Sequence, residues 1–169
     1  MKFSAAFLSL ASMASAIDLW SYSNRDCGGN AGVCRSINPN ICCSTGGSSG
    51  LGSSASAHGI PIGWLIELRA FTGGDCTNLA ATAGSGGGQT SICIRGGFFT
   101  GMSYNFYGRK RGETVESDCQ RPDTLVLTDG SEYDISGLDD ETFSVLYPLG
   151  LNATGPEDVP QELKSLQIK

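Results

Sequence analysis

The side chains best suited to chemistry in this sequence are its cysteines, because the chain has seven of them and a single histidine, His58. A zinc site needs four Cys or His ligands in closely spaced pairs such as C-x-x-C. No such pair occurs here, so we expect neither a metal nor a cofactor. In an oxidising compartment thiols pair with each other by default. The disulfide candidates are Cys27, Cys34, Cys42, Cys43, Cys76, Cys93 and Cys119.

Seven is an odd number, so at most three bridges can form within the chain and one thiol is left over. The sequence alone leaves the pairing open. Cys42 and Cys43 are adjacent and should reach two different partners, which would pin two neighbouring segments at one point. Cys119 lies apart from the others in the sequence. It is our candidate for the odd thiol, or for the cysteine of a disulfide-linked dimer.

A serine motif, Gly46-Gly47-Ser48-Ser49-Gly50, matches the G-x-S-x-G pattern of hydrolases. In such enzymes the serine stands on a strand-to-helix turn and needs a histidine base and an acid. No helical pattern follows Ser48, and the tract 44–56 is almost entirely Ser and Gly, which produces the match by chance. His58 is predicted to be a loop residue. We therefore expect no catalytic residues and a protein that is not an enzyme.

Two further groups of side chains have both a functional and a structural interpretation. Asp139-Asp140-Glu141 could ligate a metal or cap a helix, and acids in a first helical turn favour the cap. Eight aromatic residues could form a sugar-binding face, but in a small β domain such residues more often belong to the core. They are Trp20, Tyr22, Trp64, Phe98, Phe99, Tyr104, Phe106 and Tyr107.

The first 16 residues have the pattern of a cleavable secretory signal. Lys2 supplies the positive charge, an uncharged and largely apolar run extends from Phe3 to Met13, and Ala14-Ser15-Ala16 precedes the expected cleavage site. That run is about half of the roughly 20 apolar residues that span a bilayer. The sequence predicts a secreted, extracellular protein with no stable membrane anchor.

The mature sequence divides into two segments of opposite charge. Residues 17–112 hold six of the seven cysteines and carry seven basic against four acidic side chains, a net charge of +3. Residues 113–169 carry three basic against 13 acidic side chains, a net charge of −10. We predict a cysteine-rich β domain followed by an acidic C-terminal segment that packs on the same domain.

A basic run, Arg109-Lys110-Arg111-Gly112, separates the two segments. Processing proteases of the secretory pathway cut at dibasic pairs, so Lys110 and Arg111 form a candidate processing site. The alternative, which we favour, is a solvated basic turn. A cut after Arg111 would make the acidic segment a propeptide that neutralises a basic core, and basic secreted fragments often bind anionic surfaces.

Alternation of apolar and polar residues predicts mainly β structure. The first predicted strand covers Asp18–Ser23, and the most apolar strand covers Ile60–Phe71. The Ser/Gly tract 44–56 is predicted to be a mobile loop. Asp129-Gly130 between two short apolar runs indicates a hairpin.

The end of the chain combines helix signals with a modification motif. One helix is predicted from Asp139 to Pro148 and a second over Pro160–Leu166. Between them lies the N-glycosylation sequon Asn152-Ala153-Thr154, which we expect to be used. Taken with the strands, the sequence predicts a small disulfide-stapled β sandwich with one or two short C-terminal helices.

The chain resembles the small, secreted, cysteine-rich proteins of filamentous fungi from which candidate effectors are drawn. The features that carry this resemblance are the signal peptide, Cys34 with Cys42-Cys43, the segment Gly59-Ile60-Pro61-Ile62-Gly63-Trp64, Cys76, and Gly84 before Cys93.

A narrower resemblance is to βγ-crystallin-like Greek-key domains, a fold that some secreted killer toxins use. Tyr22 followed by Gly29 has the aromatic-to-glycine spacing of that motif. The segment 139–144 is similar to its calcium signature, except that Phe143 stands where Ser or Thr belongs. The resemblance therefore implies a Greek-key sandwich as one option and does not imply a calcium site.

We expect a secreted, non-enzymatic interaction protein, an effector or virulence-related factor, whose extracellular partner is a host or competitor protein or a glycan. We expect no nucleic-acid partner. The alternative is an antimicrobial or killer-type toxin processed at the dibasic site. A second alternative is a small secreted hydrolase, for which Ser48→Ala or His58→Ala would be the test.

Overall fold

Ten strands and two helices are formed by the residues that the computed structural model describes, which are 16–47, 50–107 and 119–168. Three predictions fall outside these residues: the signal peptide except for its last residue Ala16, the motif serine Ser48, and the basic pair Lys110 and Arg111. The strands are β1 (Ile17–Tyr22), β2 (Ala31–Ile37), β3 (Cys43–Ser44), β4 (Ser54–His58), β5 (Ile66–Thr72), β6 (Asn78–Gly84), β7 (Ser91–Ile94), β8 (Gly101–Phe106), β9 (Thr124–Val126) and β10 (Glu132–Asp134), and the helices are α1 (Asp140–Leu151) and α2 (Gln161–Lys164).

The strands form two antiparallel sheets, one of six strands in the order β10-β9-β2-β1-β4-β7 and one of four in the order β3-β8-β5-β6. The predicted mainly β fold, with disulfides and short C-terminal helices, is confirmed. The hairpin predicted around Asp129-Gly130 is β9–β10, and it extends the larger sheet. Among the described residues, no helix combines the length and the apolar character needed to cross a membrane.

The smaller sheet covers one half of the inner face of the larger sheet. Side chains alternate along a strand, so Ile17 and Leu19 of β1 point inward while Asp18 and Trp20 point outward. On β5 the same alternation buries Ile66, Leu68 and Ala70. We call the cluster that these strands bury the sandwich core.

The two helices cover the other half of the same inner face. Gly32 on β2 is paired with Leu125 on β9 and lies on the same side of the sheet as Cys34, which belongs to the sandwich core. Leu125 packs in a second cluster, the helix core, whose members come from the β9–β10 hairpin, α1, α2 and the segment between the helices. The larger sheet is therefore the common wall of two cores that lie side by side.

Tyr147 of α1 connects the two cores. Its ring belongs to the helix core, and its hydroxyl donates a buried hydrogen bond to the carbonyl oxygen of Leu51, a sandwich-core residue, at 3.0 Å. Burial raises the pKa of the Tyr147 phenol. A side-chain carbon on Gly32 would overlap the Tyr147 ring, so only glycine at this position lets the helix approach the sheet.

Asn30 fastens the end of α1 to the loop between β1 and β2. Its Nδ2 donates to the carbonyl oxygens of Gly150, Leu151 and Ala153 at 3.3, 3.2 and 2.7 Å. Its Oδ1 accepts from the backbone N–H of Thr128 at 3.1 Å. The last carbonyls of a helix lack intrahelical partners, and here one side chain, only 5% exposed, donates to two of them and to the Ala153 carbonyl beyond the helix.

Helix α1 continues past Pro148 to Leu151, so the prediction that it ends at this proline was wrong. Proline removes the bond that its N–H would make to the carbonyl of Ser144. Both Pro148 and Ser144 lie on the exposed side of the helix, where water can solvate that carbonyl. Burial of Tyr147, Gly150 and Leu151 against the sheet holds the last turn in place.

The tract 44–56 is not simply a loop, as we predicted, because its last residues begin β4, which lies inside the larger sheet between β1 and β7. Ala55 and Ala57 are buried in the sandwich core, so small side chains there reflect close packing. His58, predicted in a loop, ends this strand. In the next segment the strand begins at Ile66 and not at Ile60.

Three disulfides tie these elements together: Cys27–Cys93, Cys34–Cys43 and Cys42–Cys76. The adjacent cysteines do reach different partners, since Cys43 is bound to β2 of the larger sheet and Cys42 to the turn after β5 of the smaller one. Cys119 lies outside these three bridges, and its side chain is exposed.

The acidic C-terminal segment shares its backbone pairing with the cysteine-rich part. Strand β9 pairs with β2, and the backbone of Gln120 exchanges hydrogen bonds with Cys42 and Ser44 at 2.7 and 2.9 Å. Removing this segment would therefore uncover half of the larger sheet.

Replacing Asn30 by Ala should lower the free energy of unfolding by about 2–4 kcal/mol, because several buried backbone groups lose their partner at once. Urea unfolding of the mature protein measures this change. The exposed Asn24 is the matched control, and Asn24→Ala should stay within about 0.5 kcal/mol of the wild type. Equal unfolding midpoints for the two variants would contradict this role of Asn30.

A fragment of residues 17–111 should be much less stable than the mature chain, since it lacks β9 and both helices. We expect its melting temperature to fall by about 10 °C or more, as a loss of several kcal/mol implies. Near-ultraviolet circular dichroism during heating measures the transition. A fragment that melts cooperatively at the temperature of the whole chain would contradict this expectation and support the processed-toxin alternative.

Candidate functional site

The outer face of the larger sheet brings together three of the rings that the sequence singled out. Trp20 and Tyr22 of β1 are stacked with their centroids 5.9 Å apart and their planes 26° apart. The ring of His58 on β4 lies 5.1 Å from that of Trp20. We call Trp20, Tyr22 and His58 the aromatic patch.

Strand register explains why these residues meet. Trp20 and Tyr22 are two residues apart and so lie on one face of β1. Strand β4 pairs antiparallel with β1, which sets His58 opposite Asp18. The Tyr22 hydroxyl reaches diagonally across the strands and lies 3.1 Å from Nε2 of His58 in a hydrogen bond.

Burial controls the ionisation of the patch. It lowers the pKa of His58, and the nearby Asp18 carboxylate opposes this shift without cancelling it. Burial also raises the pKa of the Tyr22 phenol. Both groups are therefore neutral near pH 7, and a neutral imidazole can accept the hydrogen bond from the phenol.

The indole N–H of Trp20 is buried and has no hydrogen-bond partner within the described part of the chain. A buried donor without an acceptor costs about 1–3 kcal/mol, and each such group in a folded protein calls for an explanation.

Charged side chains border the patch on the side of β2 and the C-terminal hairpin. Arg35 lies between Asp18, at 3.8 Å, and Glu132, at 2.8 Å. Its Nε also donates to the Thr124 hydroxyl at 3.0 Å, and its backbone N–H donates to the Asp123 carboxylate at 2.8 Å. The guanidinium is therefore ordered at the edge of a patch in which Tyr22 is only 8% exposed and Trp20 and His58 are half-buried.

The other six aromatic residues of the candidate sugar-binding face do not belong to the aromatic patch. Trp64 and Phe106 pack edge to face at 4.7 Å against the sandwich core. Tyr104 is buried there, its hydroxyl donates to the Ile37 carbonyl at 3.0 Å, and burial raises its pKa to about 12. Phe99 is also buried, whereas Phe98 and Tyr107 are 64% and 53% exposed.

The acidic group 139–141 acts as a helix cap. Asp139 is the N-cap of α1, and its carboxylate accepts from the backbone N–H of Thr142 at 2.8 Å. The hydrogen bonds from Thr142 lower the pKa of Asp139. The described residues contain no group of three or more His, Cys, Asp or Glu side chains that could hold a metal ion.

Sequence reasoning missed the polar partners of the patch, Asp18 and Arg35. The alternation in β1 could have identified Asp18, because it shares a face with Trp20 and Tyr22. Arg35 had no local signal, since its contacts with Thr124 and Glu132 span 89 and 97 residues.

Comparison with known families and proteins gives three findings. Two family models match: ARB_05566_N, an N-terminal domain, over residues 18–123, and ARB_05566_C, a C-terminal domain, over residues 128–169. An "Uncharacterized secreted protein" of the fungus Arthroderma benhamiae is 26% identical over 77 residues. That match covers 44% of this chain and 40% of the relative. No solved structure matches.

These findings agree with a small secreted fungal protein that contains disulfides. The N-terminal match contains the whole aromatic patch and Arg35, and the C-terminal match contains β10 and both helices. The matched region spans less than half of the relative's length.

Acidification should destabilise the protein through His58. The unfolded chain binds a proton at His58 near pH 6.5, whereas the folded chain does so only at lower pH. The free energy of unfolding should therefore fall as the pH drops below about 6.5. Urea unfolding between about pH 7 and pH 5 measures this in the wild type and in His58→Gln. On acidification the wild type should lose more unfolding free energy than His58→Gln. A difference between the two proteins that stays constant with pH would contradict the lowered pKa of His58.

Proposed function

The chain belongs to the ARB_05566 family, whose N-terminal domain its residues 18–123 match, and we propose that this chain is a secreted, non-enzymatic interaction protein. Two observations support secretion: the similar fungal protein carries a secreted description, and three disulfides suit an oxidising environment. The finer role, an effector or virulence-related factor acting outside the fungal cell, belongs to the same proposal.

The aromatic patch is the observation that carries the proposed interaction. Trp, Tyr and Arg are the residue types that contribute most binding energy at protein interfaces. Here Trp20 and Tyr22 lie side by side on an outer sheet face, and Arg35 is held at their edge by Asp18 and Glu132. The partner we propose is therefore an extracellular protein of a host or competitor.

The scaffold suits binding because it fixes the patch before the partner arrives. The rings stand on β1 and β4, which pair over five residue positions. The Cys27–Cys93 bridge ties the loop after β1 to β7, the neighbour of β4. A pre-ordered surface loses less conformational entropy on association than a flexible one.

Trp20→Ala should weaken binding by about tenfold or more, which corresponds to about 1.4 kcal/mol. The partner is first isolated by cross-linking the mature protein to the extracellular fluid of host tissue or of a competing microbe. Binding of the purified partner is then titrated by calorimetry. The control is Phe98→Ala, which removes an exposed ring outside the patch and should leave affinity unchanged.

Two outcomes would contradict the proposal. Equal affinity of the wild type and Trp20→Ala would place the interaction elsewhere on the surface. Turnover of an ester, peptide or glycan by the purified protein would favour the hydrolase alternative. A glycan array tests the remaining partner class, and glycan binding lost in Trp20→Ala would replace a protein partner by a carbohydrate.

A further inference from the structure

A second surface, separate from the aromatic patch, contains a covalent acceptor site. The sequon Asn152-Ala153-Thr154 follows α1 directly, and Asn152 is the C-cap of that helix. Its side chain is exposed, and Nδ2 donates to the carbonyl oxygen of Pro148 at 2.8 Å. An amide nitrogen has two hydrogens, so this bond leaves one N–H that can be replaced by a sugar.

A polar cleft of about 410 Å³ opens beside the sequon. This volume lies in the range of sites that hold small organic ligands, roughly 300–1,000 Å³. Most of its side chains carry hydroxyl or amide groups, which are donors and acceptors suited to sugar hydroxyls. These polar lining residues are Ser23, Asn24, Asn30, Thr128, Asn152 and Thr154.

We propose that Asn152 carries an N-linked oligosaccharide and that its first N-acetylglucosamine lies in this cleft. The donor is a lipid-linked oligosaccharide diphosphate of the secretory pathway. Nδ2 of Asn152 attacks C1 of the reducing-end sugar, the N–C1 bond forms, and the bond from C1 to the diphosphate oxygen breaks. The lipid diphosphate departs as the leaving group, and the displaced amide proton passes to a base of the transferase.

The docked sugar covers the contact that joins the helix core to the larger sheet. Asn30 forms part of the cleft wall, and it holds the carbonyl oxygens of Gly150, Leu151 and Ala153. A sugar packed against this wall adds contacts between the loop before β2 and the end of α1. Local opening at the end of α1 then becomes rarer, and amide hydrogens in that region exchange more slowly.

The test uses the mature protein secreted from yeast and treated with a glycosidase that leaves a single N-acetylglucosamine. Intact mass should show one sugar on the wild type and none on Asn152→Gln. Hydrogen exchange over residues 23–30 and 150–154 should be several-fold slower in the wild type than in Asn152→Gln. A wild-type mass without sugar, or equal exchange in the two proteins, would overturn the proposal.

Two further variants distinguish the effect of the sugar on hydrogen exchange from the effect of replacing Asn152. Thr154→Ser keeps the sequon and should retain both the sugar and the slow exchange. Thr128→Lys leaves the sequon intact and places a long side chain in the cleft, so it should keep the sugar and lose the protection. Slow exchange in glycosylated Thr128→Lys would overturn the docked position. Both results are independent of partner binding at the aromatic patch.

Discussion

Asn30 is the residue on which the arrangement of the two cores depends. The larger sheet is six strands wide and its facing sheet only four, so part of its inner face must be covered by something else. Helix α1 provides that cover, and Asn30 binds the carbonyl oxygens at the end of the helix while accepting from Thr128 in the hairpin turn. One buried amide therefore connects the loop after β1, the hairpin and the helix.

The rest of the fold reinforces this connection with small side chains and covalent bonds. Gly32 leaves room for Tyr147, whose hydroxyl reaches across to Leu51 in the other core. The Cys34–Cys43 bridge links β2 of the larger sheet to β3 of the smaller one, and the Cys42–Cys76 bridge ties the residue before β3 to the turn after β5. Such bridges contribute about 2–4 kcal/mol each by restricting the unfolded chain, which matters in a sequence with 24 glycines.

Sequence patterns predicted the local features and failed where tertiary packing decides. The hairpin and the Asp139 cap have short-range signals, the disulfides follow from the cysteine content, and all three features are present. Strand β4 was missed because Ser54, Ala55 and Ser56 have the composition of a linker, and only pairing on both sides makes them a strand. For the same reason the sequence predicted the aromatic patch only in part, because His58 contacts Trp20 only when β4 pairs with β1.

We expect the acidic segment, the helix core and the patch-bearing sheet to unfold as one cooperative unit, which gives the aromatic patch a rigid base. Hydrogen exchange of the wild-type mature protein tests this most directly, because it measures the opening free energy of each segment. In one cooperative unit, amides in the middle of α1 and in β1 and β4 exchange with the same opening free energy, equal to that of global unfolding. Exchange of the same α1 amides at a far lower free energy, with β1 and β4 still protected, would show that the helix core opens separately. That result would contradict a single cooperative unit.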